Sequence, residues 1–133
     1  MKKKPLIGIV DTETSNIKSV FYALSLFNVD IVYITSKDEA PKVDAIIVPG
    51  IGNFSYVMKK LKDRKLDEYI FEKISNNLPG LFICVGMQIL FTKSFELGVH
   101  EGLNLLEGEI RKINILNDKG IKVRNVPIIG WSQ

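Results

Sequence analysis

The chain has 133 residues, of which 46% are hydrophobic and 25% are charged. This length suits one domain, and the composition excludes disordered, collagen-like and low-complexity proteins. The longest apolar run, Leu78–Val85, is too short to span a bilayer, which argues against a membrane protein. Three N-terminal lysines, Lys2 to Lys4, supply the net charge of +3, so the rest of the chain is electrically balanced and a nucleic-acid-binding protein is not expected.

In chain order, apolar runs and helical spacing predict a regular alternation of strands and helices. The apolar runs are continuous, which is typical of strands buried on both faces. Together they predict an α/β fold with an open, mostly parallel sheet and helices on both faces. The predicted order is strand Leu6–Val10, helix Ile17–Phe27 (capped by Ser15 or Asn16), strand Ile31–Ile34, strand Ala45–Val48, helix Phe54–Leu61, helix Asp67–Asn76, strand Leu81–Ile83 and helix Val85–Phe91.

After Gly98 the pattern changes to short strand-like pieces. Two are predicted, at Glu109–Ile113 and Lys122–Val126, joined by a hairpin turn at Asn117–Gly120. The last residues, Gly130–Gln133, do not resemble a finished terminus. We therefore interpret residues 1–133 as a single domain whose C-terminal part is missing.

Polar or glycine-rich segments follow three of the predicted strands, at residues 11–16, 49–54 and 84–88. Ligands of an open parallel sheet bind outside the carboxyl ends of its strands. We therefore expect these three segments to meet at one edge of the sheet and to form the functional site.

Cys84 lies between a predicted strand and a predicted helix, which is the placement of a nucleophile elbow. The N-terminus of a helix favours the thiolate form of a neighbouring cysteine. The alternative is a structural cysteine buried in the core, and the local pattern alone does not decide between the two. As the chain has one cysteine, it cannot form an internal disulfide, which predicts a reducing, cytoplasmic location.

Gly50 and Gly52 follow the third predicted strand. Glycines at such a position allow backbone N–H groups to turn toward a ligand, as an oxyanion hole requires. The alternative is an ordinary turn between a strand and a helix.

The two motifs together resemble the class I, triad-type glutamine amidotransferases. They are Pro49-Gly50-Ile51-Gly52-Asn53-Phe54 and Cys84-Val85-Gly86-Met87-Gln88, and the resemblance extends over almost the whole chain, including Asp11 and Asn16. Within this family the chain is most similar to the glutaminase subunits of imidazole glycerol phosphate synthases.

The resemblance implies a role for each matching residue. Cys84 would attack the side-chain amide of glutamine and release ammonia, while the N–H of Val85 and an amide of the Ile51–Gly52 loop would bind the oxyanion. The implied substrate-binding residues are Gly50, Gln88 and Glu96.

It also implies a partner: a cyclase subunit with a (β/α)-barrel fold, which would form a heterodimer with this chain and receive the ammonia for histidine biosynthesis. Asn16 and Trp131 would face that partner. No cofactor and no metal ion are implied.

Several positions depart from the family pattern. Phe82 replaces a small glycine two residues before the nucleophile, Thr12–Ser15 replace a glycine-containing loop, and Ile128 replaces a histidine. The catalytic His and Glu of the family lie on a segment beyond residue 133, so we expect no glutamine turnover by these residues alone.

His100 does not compensate for that loss, because it falls in a polar loop where the family has no catalytic histidine. A degenerate, non-catalytic paralogue that binds a partner is therefore an alternative. A paralogue serving surface-sugar amidation is another.

Overall fold

The computed structural model describes residues 3–14, 16–114, 116 and 119–121. Strands and helices alternate through most of this range, which confirms the predicted α/β organisation. The strands are β1 (Leu6–Val10), β2 (Asp30–Ile34), β3 (Ala45–Gly50), β4 (Gly80–Cys84), β5 (Phe91–Ser94), β6 (His100–Glu101) and β7 (Leu106–Ile110). The helices are α1 (Ile17–Leu24), α2 (Phe54–Lys62), α3 (Leu66–Ser75) and α4 (Val85–Gln88).

The first four strands form one parallel sheet in the order β2-β1-β3-β4. Parallel strands require crossover connections, which contain helices between β1 and β2 and between β3 and β4, whereas the connection from β2 to β3 has no helix. The register aligns Ile7 with Ala45, and Gly50 with Cys84. The carboxyl ends of β3 and β4 are therefore neighbours, as the sequence predicts.

Helices α2 and α3 cover one face of this sheet. Their apolar residues, including Phe54, Leu61 and Ile70, are fully buried against the sheet residues Val10 and Val48. This closely packed layer is the hydrophobic core, and it fixes α2 directly behind the end of β3.

Helix α1 lies on the opposite face, so the prediction of helices on both faces is confirmed. The coverage is unequal, because Leu81 and Ile83 of β4 remain 56% and 40% exposed. The expectation that every strand is buried on both faces is therefore wrong for β4. In the described part of the chain β4 pairs with β3 alone, and α1 is placed over β1.

Two predicted helices end three residues earlier than expected. Helix α4 stops at Gln88 rather than Phe91, because the N–H of Leu90 donates to the carbonyl of Met87 at 3.2 Å in a tighter turn, and Phe91 already pairs with Leu106 as the first residue of β5. Pairing with a distant strand therefore overrides the local helical propensity.

Helix α1 ends at Leu24 rather than Phe27. The chain after Leu24 forms a tighter turn, in which the N–H of Phe27 donates to the carbonyl of Leu24 at 2.9 Å. The side chain of Phe27 is 66% exposed, so the apolar face predicted for this helix extends one turn too far.

A second, three-stranded sheet has the order β6-β5-β7. Strands β5 and β7 are parallel, while β5 and β6 are antiparallel. The predicted strand Glu109–Ile113 exists as β7 but begins and ends three residues earlier. The predicted strand Lys122–Val126 and the first half of the predicted turn Asn117–Gly120 lie outside the described residues. Among the described helices, none is long and apolar enough to cross a membrane.

The loop between β1 and α1 is fastened to the end of α2 by ion pairs. The carboxylate of Glu13 lies 2.8 Å from Lys60 Nζ and 3.5 Å from Arg64 Nη1, and the carbonyl of Asp11 accepts a hydrogen bond from Arg64. The hydrogen bond from Lys60 is the main cause that lowers the pKa of Glu13, followed by the charge of Arg64. The Glu13–Lys60–Arg64 network therefore fixes the loop that the sequence places at the carboxyl edge of the sheet.

We expect Glu13→Gln to lower the thermal midpoint at neutral pH and to have little effect in acid. The pKa of Glu13 is lower in the folded chain, so its stabilisation is complete above the unfolded-state pKa, about 4.3, and is lost as the pH falls through the folded value. Thermal midpoints measured at a series of pH values test this, with the exposed Glu39→Gln as matched control. A wild-type advantage that stays constant into acid would contradict the role of the ion pairs.

Candidate active site

Cys84 occupies a sharp turn between β4 and α4. Its backbone has φ 57° and ψ −121°, and Cys84 is exposed to solvent. A positive φ is strained for a residue with a side chain, and such strain is found where a fold holds a functional group in one orientation. The structure therefore gives Cys84 the local geometry expected of a nucleophile elbow, and it excludes the alternative of a cysteine buried in the core.

Two glycines allow the Cys84 turn to sit tightly against β3. A Cβ on Gly86 would overlap the carbonyl oxygen of Val48, and a Cβ on Gly50 would lie 2.8 Å from the amide nitrogen of Gly86. The space that a side chain would need is filled by backbone in both cases. The close approach of α4 to β3 therefore depends on both glycines.

The loop after Gly50 lies next to this turn. Gly52 has φ 96° with open space around its Cα, and Ile51 is 54% exposed. Val85, the first residue of α4, follows Cys84 directly, and the N–H groups of a first helical turn have no acceptor within their helix. The register pairs Gly50 with Cys84, so the Ile51–Gly52 loop leaves β3 at the end where Cys84 and Val85 lie.

A cavity of about 490 Å³ brings the two predicted substrate residues together. Gln88 lies one helical turn after Cys84, and Glu96 follows β5. This volume is in the range of small-molecule sites. The cavity is lined among others by Gln88, Phe95, Glu96, Ile110, Arg111 and Lys112.

The carboxylate of Glu96 also contacts the start of α2. Its Oε2 accepts a hydrogen bond from the N–H of Phe54 at 2.8 Å, and the side chain of Asn53 accepts one from the N–H of Tyr56 at 2.9 Å. Both bonds satisfy N–H groups that a helix leaves without an internal acceptor. Sequence reasoning missed the contact with Phe54, because no local pattern links residues 42 positions apart.

A cationic group on the cavity wall was also missed. The guanidinium carbon of Arg111 lies 3.8 Å from the centre of the Phe95 ring, and Glu109 Oε2 accepts from Arg111 Nε at 2.7 Å. Lys93 lies 3.0 Å from the other carboxylate oxygen of Glu109, and Lys93 and then Arg111 lower the pKa of Glu109. The available signal was the two-residue spacing of Glu109 and Arg111, which puts them on one face of an extended chain.

Phe82 does not obstruct the Cys84 turn. Its ring lies beside Gly80, where a Cβ would be 2.7 Å from Phe82 Cε2, and it packs against the hydrophobic core. The expected lack of space at this position is relieved by the glycine two residues earlier on the same strand face.

The remaining predicted residues lie elsewhere. His100 begins β6 rather than sitting in a loop, and it lines a separate cavity with Ser55 and Lys59. Asn16 occupies the N-cap position of α1 but its side chain makes no capping bond. Ser15, Ile128 and Trp131 fall outside the described residues. Across the part of the chain that the structure describes, no three His, Cys, Asp or Glu residues are grouped as metal ligands would be.

Comparisons with known proteins agree with this geometry. The CobB/CobQ-like glutamine amidotransferase domain matches residues 7–122. The imidazole glycerol phosphate synthase subunit HisH of Bacillus velezensis is 37% identical over 128 residues, which are 96% of this chain and 60% of the relative. The subunit of the same name from Lactococcus lactis is 38% identical over 133 residues, which are 100% of this chain and 61% of the relative.

A solved glutamine amidotransferase shares the fold with a TM-score of 0.65 at 18% identity, over 77% of this chain and 54% of that one. The chain thus spans about 60% of the length of the curated relatives it matches. The family domain matches residues 7–122, and the two relatives align with 96% and 100% of this chain. The chain belongs to the glutamine amidotransferase family.

Proposed function

We propose that the chain is the glutamine-binding and nucleophile-bearing part of an imidazole glycerol phosphate synthase glutaminase. The observation that carries the proposal is the strained turn at Cys84, which holds an exposed thiol beside the Gly50–Gly52 loop. The relatives named as subunits of that synthase support the assignment of the reaction.

In the proposed reaction the thiolate of Cys84 attacks the side-chain carbonyl of glutamine. A γ-glutamyl thioester forms and the C–N bond breaks, so that ammonia leaves once a proton is supplied; water then releases glutamate. The N–H of Val85 and an amide of the Ile51–Gly52 loop would stabilise the oxyanion. No cofactor is needed for these steps.

Binding of glutamine would use the cavity that Gln88 and Glu96 line. Gln88 would hydrogen-bond the substrate, Glu96 would pair with its α-ammonium group, and Gly50 would let the substrate approach the backbone. The presence of Gln88 and Glu96 in one cavity supports this part of the proposal.

The ammonia would pass to a cyclase subunit with a (β/α)-barrel fold, in a cytoplasmic heterodimer. Asn16 and Trp131 would contribute to that interface. Asn16 lies after β1, at the same carboxyl edge of the sheet as the Cys84 turn, which supports a docking surface at this edge.

A non-catalytic paralogue that only binds a partner is the second candidate. One observation favours it: Glu13 holds a positive φ of 54° and is paired with Lys60, in the loop where the family has permissive glycines. Covalent labelling of Cys84 by an analogue of glutamine separates the two candidates, because a non-catalytic module has no need of a glutamine-specific pocket.

The test is covalent labelling of Cys84 in the full chain by a chloroketone analogue of glutamine. In the analogue a chloromethyl ketone replaces the side-chain amide; the thiolate forms a C–S bond and chloride leaves. At about pH 9, where an ordinary thiol is largely ionised, no separate base is required. We expect one adduct, absent in Cys84→Ser, whose formation L-glutamine slows and D-glutamine does not.

The adduct is read by intact mass, and iodoacetamide serves as the control for a merely exposed thiol. Equal labelling with and without L-glutamine would overturn the glutaminase assignment and favour the partner-binding module.

A further inference from the structure

Glutamine is a zwitterion, so a pocket that selects it needs a partner for its α-carboxylate as well as an anion for its α-ammonium group. The cavity wall holds Glu96 for the α-ammonium group and Gln88 for a polar contact, but neither carries the positive charge that would complement the α-carboxylate. Arg111 and Lys112 line the same cavity and are the cations available on its wall. The contacts of each side chain decide which of them can bind a carboxylate.

The guanidinium of Arg111 is held in place before any ligand arrives. One of its faces lies on the Phe95 ring at 3.8 Å, and Glu109 Oε2 takes the edge formed by Nε and Nη2, at 2.7 and 2.6 Å. Stacking and a carboxylate contact together restrict a side chain that is otherwise flexible. Both side chains are exposed, Arg111 by 60%, but Lys112 has no ion-pair partner among the residues that the structure describes.

The contact with Glu109 leaves the second edge of the guanidinium open. An arginine has five N–H donors, and Glu109 uses two of them. The edge formed by Nη1 and Nη2 has no acceptor within the described residues, and it has the geometry of a two-bond contact with a carboxylate. Lys93 pairs with the other carboxylate oxygen of Glu109, so it does not occupy this edge of the guanidinium.

We propose that Arg111 binds the α-carboxylate of glutamine and thereby makes the cavity selective for α-amino acids. This inference rests on the proposed glutaminase function and adds a specificity residue to it. Arg111 and Glu96 then hold the two charges of the substrate, while Gln88, the last residue of α4, makes the polar contact.

The test compares two labels on the full chain: the chloroketone analogue of glutamine and the same compound with its α-carboxylate converted into a carboxamide. In the wild type we expect the acid to label Cys84 faster than the carboxamide. Arg111→Gln should slow labelling by the acid roughly tenfold to a hundredfold and leave labelling by the carboxamide unchanged. Arg111→Lys, which keeps the charge and loses the fork, should give an intermediate rate.

Lys93→Gln is the matched control. Lys93 pairs with the same Glu109 and lies 5.4 Å from the same Phe95 ring, but it does not line the cavity. Its replacement should not change the preference for the acid. Iodoacetamide must react with Cys84 at one rate in all variants, which shows that the thiol itself is unaltered.

The outcomes separate this inference from the proposed function. If L-glutamine protects the wild-type thiol but Arg111→Gln slows both labels equally or neither, the assignment of Arg111 is overturned and the glutaminase proposal stands. If L-glutamine gives no protection, the glutaminase proposal fails, and the carboxylate site fails with it.

Discussion

Gly86→Ala is expected to destabilise the chain by about 3 kcal/mol, at the upper end of the effects of overpacking. The added methyl group would overlap the carbonyl oxygen of Val48 and lie 3.4 Å from the carbonyl carbon of Pro49. These are backbone atoms of a buried central strand, so they cannot rotate away as the end of a side chain could. Helix α4 would have to move outward, and the Cys84 turn would move with it.

Urea denaturation measures this effect through the change in the midpoint at constant slope. Met87→Ala is the matched control, because Met87 is the next residue of α4, is 47% exposed and leaves the contact with β3 unchanged. A similar midpoint for the two variants would show that α4 does not approach β3 as closely as the structure indicates.

The sequence predicts the features of this fold that depend on local patterns. The first strand was predicted at its observed bounds, Leu6–Val10, because a continuous apolar run between polar residues has few other interpretations. The position of Cys84 between a strand and a helix was sufficient to predict the elbow. Gly50 and Gly52 marked the loop beside it, because a buried strand that ends in glycines must turn there.

Long-range contacts account for what the sequence does not predict. The helix beginning at Val85 ends at Gln88 because Phe91 pairs with Leu106 in the second sheet, and no local pattern near Phe91 predicts that pairing. The exposure of Leu81 has a similar origin, since burial on both faces requires a neighbour as well as an apolar side chain. The pairing of Glu96 with the N–H of Phe54 is a third contact of this kind.

Glu96 provides a prediction in which charge and hydrogen bonding can be separated. One carboxylate oxygen accepts from the N–H of Phe54 at 2.8 Å, and the other is available to the cavity. In Glu96→Gln the amide oxygen can still accept from that N–H, whereas the charge that would attract an α-ammonium group is gone. In Glu96→Ala both are gone.

We therefore expect Glu96→Gln to slow labelling by the chloroketone analogue of glutamine roughly tenfold to a hundredfold while changing the free energy of unfolding by less than about 0.5 kcal/mol. Glu96→Ala should slow labelling as much and should also lose about 1 kcal/mol of stability, because the first N–H of α2 loses its acceptor. Glu107→Gln, an exposed carboxylate on β7, is the control for the loss of one negative charge.

Labelling rates and urea midpoints of the three variants, measured on the same preparations, decide the matter. If Glu96→Gln labels as fast as the wild type, Glu96 acts only as the cap of α2, and the ammonium group must be bound elsewhere. If instead the Gln variant loses as much stability as the Ala variant, the helix start requires the negative charge itself, and the favourable field at a helix N-terminus outweighs the single hydrogen bond. Glu96→Gln removes the charge and keeps the shape and the hydrogen-bond acceptor, whereas Glu96→Ala removes all three. In either case the comparison separates the effect of the charge from that of the hydrogen bond to the start of α2.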